Sequence, residues 1–124
     1  MSTELVELRT FYGAPHRLYL AFNPDGDAVG VVGVRLLTPA AGEVRRLYVD
    51  SASRTGGLGR RLVEQLIADA VEAGLARLVL TTLPTMVHAR ALYLSLGFKE
   101  TAPYVEEPTE GVEYYELDLL TPRS

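Results

Sequence analysis

Three glycines, Gly56, Gly57 and Gly59, fall within four positions between a strand-like and a helix-like segment. Glycine lets the chain turn sharply and leaves backbone N–H groups uncovered, because it has no side chain. The N–H groups at the start of a helix also carry the positive end of the helix dipole. A glycine-rich turn in this place is typical of a site for phosphate or pyrophosphate. The loop therefore predicts an anion-binding site.

Spacing excludes two common phosphate-binding motifs. A P-loop requires Gly-x-x-x-x-Gly-Lys-Ser/Thr, whereas Arg60 and Arg61 follow the last glycine and offer no hydroxyl for magnesium. A dinucleotide-binding turn requires Gly-x-Gly-x-x-Gly, but Leu62 stands where the third glycine would be. The pattern that remains is Arg54-x-x-Gly57-x-Gly59.

This pattern resembles the acetyl-CoA loop of the GNAT family of N-acetyltransferases, which reads Gln/Arg-x-x-Gly-x-Gly/Ala. A second segment, Ala89-x-x-x-Tyr93-x-x-x-Gly97-Phe98, is similar to the helix that carries the family's other signature. The resemblance extends over residues 18–119. It implies an enzyme that transfers an acetyl group from acetyl-CoA, its cosubstrate, to a primary amine of a small molecule or peptide. The transfer is expected by direct attack in a ternary complex, without a metal.

The resemblance also implies roles for single residues. Glu43 matches a glutamate that acts as general base, and Tyr93 matches a tyrosine that gives its proton to the departing thiolate. Other candidates for the base are Glu106, Glu107 and His88. Two structural alternatives also stay open: Glu43 is a solvated strand residue, and Tyr93 is a core residue without a catalytic role. A bulge in the central strand is expected to free main-chain amides for the pantetheine and the oxyanion. The coenzyme contacts are assigned to Leu47, Tyr48, Val49, Arg54, Thr55, Gly56, Gly57, Leu58, Gly59 and Arg60.

Three features depart from the family pattern. Thr55 stands where many members have glycine, and Met86 stands where many have an asparagine that bonds near the pantetheine. Residues 1–14 replace the strand and two helices that usually precede the first strand found here. The alternatives are a truncated start, a partner chain that supplies the missing cover, or an unusually open acceptor cleft. Acceptor selectivity is expected to lie in those N-terminal helices and in the loop near Tyr104.

Hydrophobic periodicity predicts the elements that position these residues. Residues 3–9 predict one or two helical turns, and residues 11–15 read as a breaker. Strands are predicted at 17–22, 28–37, 43–50, 77–83, 98–103 and 111–119, the first three as an antiparallel meander and the third and fourth as a parallel pair. One helix starts at Leu58 and is ended by Gly74; a second has Pro84 in its first turn, one face formed by Met86, Ala89, Leu92, Tyr93 and Leu96, and its end at Gly97.

The resulting fold class is α/β (mixed α+β), with a GNAT-like central mixed sheet of about six strands in the order βββαβαββ. Two main helices and a short N-terminal helical segment complete it. Gly30 and Gly33, inside a predicted strand, indicate close packing or a bulge. The strand over residues 18–22 would lie at an uncovered edge, so a homodimer is expected.

Composition narrows the function further. The chain has 124 residues, 48% hydrophobic and 23% charged, which fits one globular domain over residues 1–124. A net charge of −4 disfavours nucleic acid as a partner. The absence of cysteine excludes a cysteinyl acyl-enzyme and thiolate metal sites. Residues 1–8 do not read as a signal peptide and no apolar run of membrane-spanning length occurs, so no membrane partner and a cytoplasmic location are expected.

Two other classes of function stay open. One is a noncatalytic acyl-CoA-binding or regulatory module that keeps the glycine loop but lacks a complete acceptor site. The other, weaker, is a structural dimerisation module. Release of free thiol from acetyl-CoA in the presence of amines distinguishes the enzyme from the binding module.

Overall fold

The computed structural model describes residues 7–13, 16–50 and 57–120. Within them the chain forms seven strands and two helices: β1 (Glu7–Gly13), β2 (His16–Phe22), β3 (Ala28–Thr38), β4 (Ala41–Val49), α1 (Leu58–Glu72), β5 (Arg77–Thr82), α2 (Val87–Ser95), β6 (Lys99–Glu100) and β7 (Glu113–Asp118). All strands belong to one mixed sheet in the order β1-β2-β3-β4-β5-β7-β6. The predicted mixed α+β fold is confirmed.

The predicted meander and crossover are both present. β2, β3 and β4 pair antiparallel in chain order. α1 then carries the chain to β5, which pairs parallel with β4. Leu75 N–H donates to the carbonyl of Ala70, and Gly74 adopts φ 86, a left-handed conformation that glycine reaches without strain. Gly74 therefore ends the helical run as predicted.

The start of the chain differs from its prediction. Residues 7–9, expected in a short helix, and residues 11–13, expected in a breaker, form strand β1, which pairs with β2 from Glu7↔Phe22 to Gly13↔His16. Leu8 and Thr10 are half-buried whereas Glu7, Arg9 and Phe11 are exposed, a period of two that suits a strand. Residues 3–6 and 14–15 lie outside the described residues.

Strand β1 also removes the premise of the homodimer prediction. β2 has a strand on each side, so its apolar residues do not lie at an open edge. The outer strand on this side of the sheet is β1. The homodimer itself stays a prediction, which light scattering at high protein concentration can test.

The elements after β5 are shorter than predicted. α2 begins at Val87 rather than in the turn of Pro84, because Met86 N–H donates to the carbonyl of Leu83 and closes a turn first. Met86 is 43% exposed and so does not share the packed face of the helix. β6 contains two residues and β7 six, and β7 lies between β5 and β6.

The main core lies between α1 and one face of the sheet. Its fully buried side chains include Tyr19, Val32, Leu62, Leu66, Leu78, Leu80 and Phe98. Gly30 faces α1 at close range: a Cβ there would lie 3.0 Å from Cδ1 of Leu62. The close packing predicted for this glycine is confirmed. Among the described helices, none is long and apolar enough to cross a membrane.

The other face of the sheet carries the charged residues. Because side chains alternate along a strand, Gly42 and Val44 point toward the main core and Glu43 and Arg45 point away from it. The loop after β6 reaches this face through Tyr104, whose ring packs edge-on against Tyr114 at 5.3 Å between ring centroids.

Candidate active site

Strands β4 and β5 separate after a short stretch of parallel pairing. Within the described residues the pairs run from Ala41↔Arg77 to Glu43↔Val79. Beyond that point β4 pairs with β3 and β5 pairs with β7, but not with each other. Beyond Glu43, therefore, the facing edges of β4 and β5 do not form a ladder with each other.

The bulge expected in the central strand is present in β4. Between the pairs Val31↔Tyr48 and Gly33↔Arg45, β4 contains one residue more than β3. Arg46 lies in this stretch with φ 60, a conformation that costs a non-glycine residue about 1–2 kcal/mol. The bulge comprises Arg46 and Leu47, so it interrupts the ladder at the start of the strand residues assigned to the coenzyme, which are Leu47, Tyr48 and Val49. Leu47 is half-buried, Val49 is buried, and Tyr48 is 56% exposed.

The start of α1 has the features of an anion site. Gly57 is the N-cap with φ 73, no side chain caps the helix, and no acidic residue occurs in the first turn. The N–H of Arg61 donates to the carbonyl of Gly57, so the N–H groups of residues 58–60 precede the first helical hydrogen bond. A Cβ built on Gly57 would have no atom within 4 Å. The first turn is therefore open enough, and positive enough, to accept a pyrophosphate.

The described residues predicted to bind the coenzyme differ in their surroundings. The side chain of Leu58 is 4% exposed, so its available group is the backbone amide. The Arg60 guanidinium hydrogen-bonds the Ser95 hydroxyl and lies 3.9 Å from a Glu64 oxygen. Gly59 lies against α2 and β4, because a Cβ built on it would be in van der Waals contact with Leu92 at 3.6 Å and with Val49 at 3.7 Å. Arg54, Thr55 and Gly56 lie outside the described residues.

Glu43 occupies the last paired position of β4 before the strands part. Its side chain is 18% exposed, accepts a hydrogen bond of 2.7 Å from the Tyr104 hydroxyl at Oε2, and has Arg45 Nε at 3.7 Å from Oε1. It is not the solvated residue that a strand glutamate often is. The carboxylate is held at Oε2 by this hydrogen bond, lies in a longer ion pair at Oε1, and still has lone pairs for a further donor.

A cavity of about 500 Å³ opens at this carboxylate. It is lined by Arg35, Leu37, Thr38, Ala41, Glu43, Arg45, Arg77, Tyr104 and Val105. The volume suits a small molecule or the end of a peptide. Among the described residues, the other candidate bases, His88, Glu106 and Glu107, are exposed and do not line it.

Tyr104 contacts Glu43 in the candidate site, and the sequence did not identify it as a single residue. The loop around it was expected to influence acceptor selectivity, but its contact with Glu43 joins residues 61 positions apart. Burial raises the pKa of the Tyr104 hydroxyl, and the hydrogen bond to Glu43 raises it further. The hydroxyl therefore stays protonated and acts as a donor to the carboxylate. The sequence feature that could have identified Tyr104 is the presence of an aromatic residue in an acidic loop.

Tyr93 lies on the buried side of α2. It is 5% exposed and packs edge-on against Phe98, with ring centroids 5.4 Å apart, because the Phe98 N–H donates back to the carbonyl of Tyr93 at the helix end. Burial raises the pKa of Tyr93 to about 12. Among residues 7–13, 16–50 and 57–120, no group hydrogen-bonds its hydroxyl. The phenol is thus a neutral donor with no fixed acceptor.

The chain is similar to known proteins both in sequence and in fold. The chain is 39% identical over 118 residues to the uncharacterized N-acetyltransferase C1271.07c of Schizosaccharomyces pombe, and the match covers 94% of this chain and 72% of that protein. Its fold is similar to that of a Klebsiella pneumoniae protein proposed to be an acyl-CoA N-acyltransferase, with a TM-score of 0.85, 20% identity, and 94% and 99% of the two chains covered. It is also similar to yncA of Salmonella typhimurium, solved with acetyl-CoA, with a TM-score of 0.70, 23% identity, and 89% and 68% covered.

The family comparison is the most direct. The sequence profile described as the Acetyltransferase (GNAT) family matches residues 2–98, which include the bulged strand and both signature segments. The chain therefore belongs to the GNAT family, whose enzymes transfer an acyl group from acetyl-CoA.

Proposed function

We propose that this chain transfers the acetyl group of acetyl-CoA to a primary amine of a small molecule or peptide, by direct attack in a ternary complex. The observation that carries the proposal is the placement of Glu43, which lines a cavity of about 500 Å³ and is also the last residue of β4 paired with β5. A carboxylate base beside a cavity that can hold an amine is what direct transfer requires.

The coenzyme supplies an activated acetyl thioester, and two parts of the chain are assigned to hold it. The backbone N–H groups at the start of α1 are assigned to the pyrophosphate, together with Arg54, Thr55 and Gly56 on the sequence pattern. The main chain of residues 47–49 is assigned to the pantetheine and the carbonyl oxygen on the sequence pattern, and the bulge at its start supports this assignment.

Glu43 is assigned as the general base for the amine. An amine is protonated near neutral pH and must lose a proton before it can attack. Tyr104 is assigned as a positioning residue, because its hydroxyl holds Glu43 Oε2 at 2.7 Å and leaves the remaining lone pairs to the acceptor or a bridging water.

Tyr93 is assigned as a hydrogen-bond donor to the departing sulfur. The pKa of its phenol, about 12, lies well above the reference value of about 8.5 for a thiol. Complete transfer of the phenolic proton would therefore be uphill by roughly 5 kcal/mol. A hydrogen bond from the phenol to the sulfur stabilises the developing charge without the free-energy cost of complete proton transfer. The proposed role of Tyr93 is therefore stabilisation of the thiolate with at most partial proton transfer.

The test is thiol release from acetyl-CoA with a panel of amines, for the wild type, Glu43→Gln and Glu72→Gln. Glu72 lies at the exposed end of α1 and is the matched control, since its change removes the same charge from a residue that does not line the cavity. We expect Glu43→Gln to lower turnover near pH 7, to lose less at higher pH where the free amine is abundant, and to bind the coenzyme normally.

Two results would contradict the proposal in different ways. Coenzyme binding without thiol release for any amine would favour the noncatalytic acyl-CoA-binding module. A Glu43→Gln variant as active as the wild type at pH 7 would leave the proposed acetyltransferase activity standing. It would show that Glu43 is not the general base, and Glu106, Glu107 or His88 would then be the candidates.

A further inference from the structure

The cavity at Glu43 carries more positive than negative charge. Arg35, Arg45 and Arg77 line it, and Glu43 is the one acidic residue among its described lining residues. The chain as a whole has a net charge of −4, so this local excess runs against the average. A basic cavity in an acidic protein favours a ligand that carries an anionic group.

Strand register places two of these arginines next to Glu43. Arg35 on β3 is paired directly with Glu43, which puts their Cα atoms about 5 Å apart on the same face. Arg45 follows Glu43 by two residues, about 7 Å along β4, and also points to that face. The residue paired with Arg45 is Gly33, which has no side chain to crowd it.

Among the described residues, Arg77 and Arg45 each lie in an ion pair, whereas Arg35 does not. Arg77 is engaged by Glu116, with 3.4 Å from Nη1 to Oε1. Arg45 lies 3.7 Å from Glu43, too far for a hydrogen bond. Within the described part of the chain, no acidic side chain forms an ion pair with Arg35. A guanidinium has five N–H donors, so Arg35 and Arg45 together retain the geometry to bind a carboxylate.

We propose that the acceptor amine carries a carboxylate, which Arg35 binds together with Arg45 while Glu43 receives the amine. This inference rests on the proposed function, because it takes Glu43 to be the base. An amino acid, or a peptide end that presents both groups, has the required chemistry and fits a cavity of about 500 Å³. A diamine places a second cation against the arginines and is disfavoured.

The experiment compares amino acids, the corresponding amino-acid amides and the diamine cadaverine, with rates corrected to equal free-amine concentration. We expect the acids to exceed the amides about 10-fold or more in kcat/KM, and Arg35→Gln to lower this preference by about 5- to 10-fold, just below the range for a fully buried charged hydrogen bond because the site is partly exposed. Arg35→Lys should retain most of it. Arg9→Gln is the matched control, since Arg9 lies on β1 and pairs with Glu7.

Equal use of acids and amides, preference for cadaverine, or an unchanged preference in Arg35→Gln would overturn the carboxylate site while leaving the acetyltransferase intact. If no amine causes thiol release, the proposed function fails. The carboxylate site is then tested separately, by measuring whether N-acetyl amino acids, the expected products, bind to the protein. NMR titration with N-acetyl amino acids and their amides then supports the site if only the acids bind and Arg35→Gln abolishes that binding. Equal binding of both would refute it.

Discussion

Replacing Tyr93 by phenylalanine tests the link between burial and catalysis most directly. The change removes one hydroxyl from a side chain that is 5% exposed and leaves its edge-on contact with Phe98 in place. Because no described residue hydrogen-bonds that hydroxyl, we expect the variant to fold with a free energy of unfolding within about 1 kcal/mol of the wild type at pH 7. The effect on activity should therefore not be a consequence of unfolding.

The expected loss of activity follows from the proposed hydrogen bond to the departing sulfur. A hydrogen bond to a charged group contributes about 1.5–3 kcal/mol, which corresponds to roughly 10- to 100-fold in kcat. With a pKa of about 12, the phenol is only about 1% ionised at pH 10. The ratio of wild-type to Tyr93→Phe activity should therefore stay constant from pH 7 to pH 10, and the coenzyme Kd should be unchanged.

The same pKa predicts how stability depends on pH. Above pH 10 the unfolded chain loses the phenolic proton, whereas the folded chain keeps it until about pH 12. Stability conferred by neutral, buried Tyr93 is thus fully present below pH 10 and lost as the pH rises through 12, by about 2–3 kcal/mol in all. Tyr19 and Tyr104 also have raised pKa values, so the difference between wild type and Tyr93→Phe isolates the contribution of Tyr93.

The assays are thiol release between pH 7 and pH 10 and urea unfolding between pH 8 and the highest pH at which unfolding stays reversible. Tyr19→Phe is the matched control: it loses a buried hydroxyl that donates to Asp69 over 2.7 Å, so it should lose stability but not kcat. Full activity in Tyr93→Phe would show that Tyr93 is a core residue without a role in catalysis. If the rate of thiol release by the wild type fell near pH 10 and that of Tyr93→Phe did not, the result would show that burial does not raise the pKa of Tyr93.

Three further predictions concern the coenzyme loop, the core and the base. Gly57→Glu should abolish the rise in Tm that acetyl-CoA causes, because it puts a carboxylate into open space at the start of α1; an unchanged shift in a folded variant would remove the loop from the site. Gly30→Ala should lower the free energy of unfolding by about 1–3 kcal/mol in urea titrations, since its Cβ would lie 3.0 Å from Leu62 Cδ1; wild-type stability would mean that α1 moves away freely. Tyr104→Phe should lower kcat/KM for the amine about 10-fold without changing coenzyme affinity, since it removes the hydrogen bond to Glu43; an unchanged kcat/KM would show that Glu43 needs no positioning.

The sequence alone determined the features that depend on neighbouring residues. The apolar spacing of α1, its termination at Gly74, and the meander of β2, β3 and β4 each follow from local backbone preferences and periodicity. The glycine loop and the tyrosine helix were recognisable for the same reason, because each is a short contiguous motif. Such signals need no knowledge of what lies across the sheet.

The tertiary structure decided what depends on residues far apart in the chain. Strand β1 forms because β2 offers it a full set of pairing partners, which overrides the weak helical signal before it. The hydrogen bond from Tyr104 to Glu43, and the arginine cavity built from β3, β4 and β5, exist because register brings these strands and the loop together. Register depends on which faces are buried and on where a bulge falls, and a one-residue shift would turn Glu43 toward the core. Sequence periodicity identified the strands, whereas pairing in three dimensions decided which side chains meet.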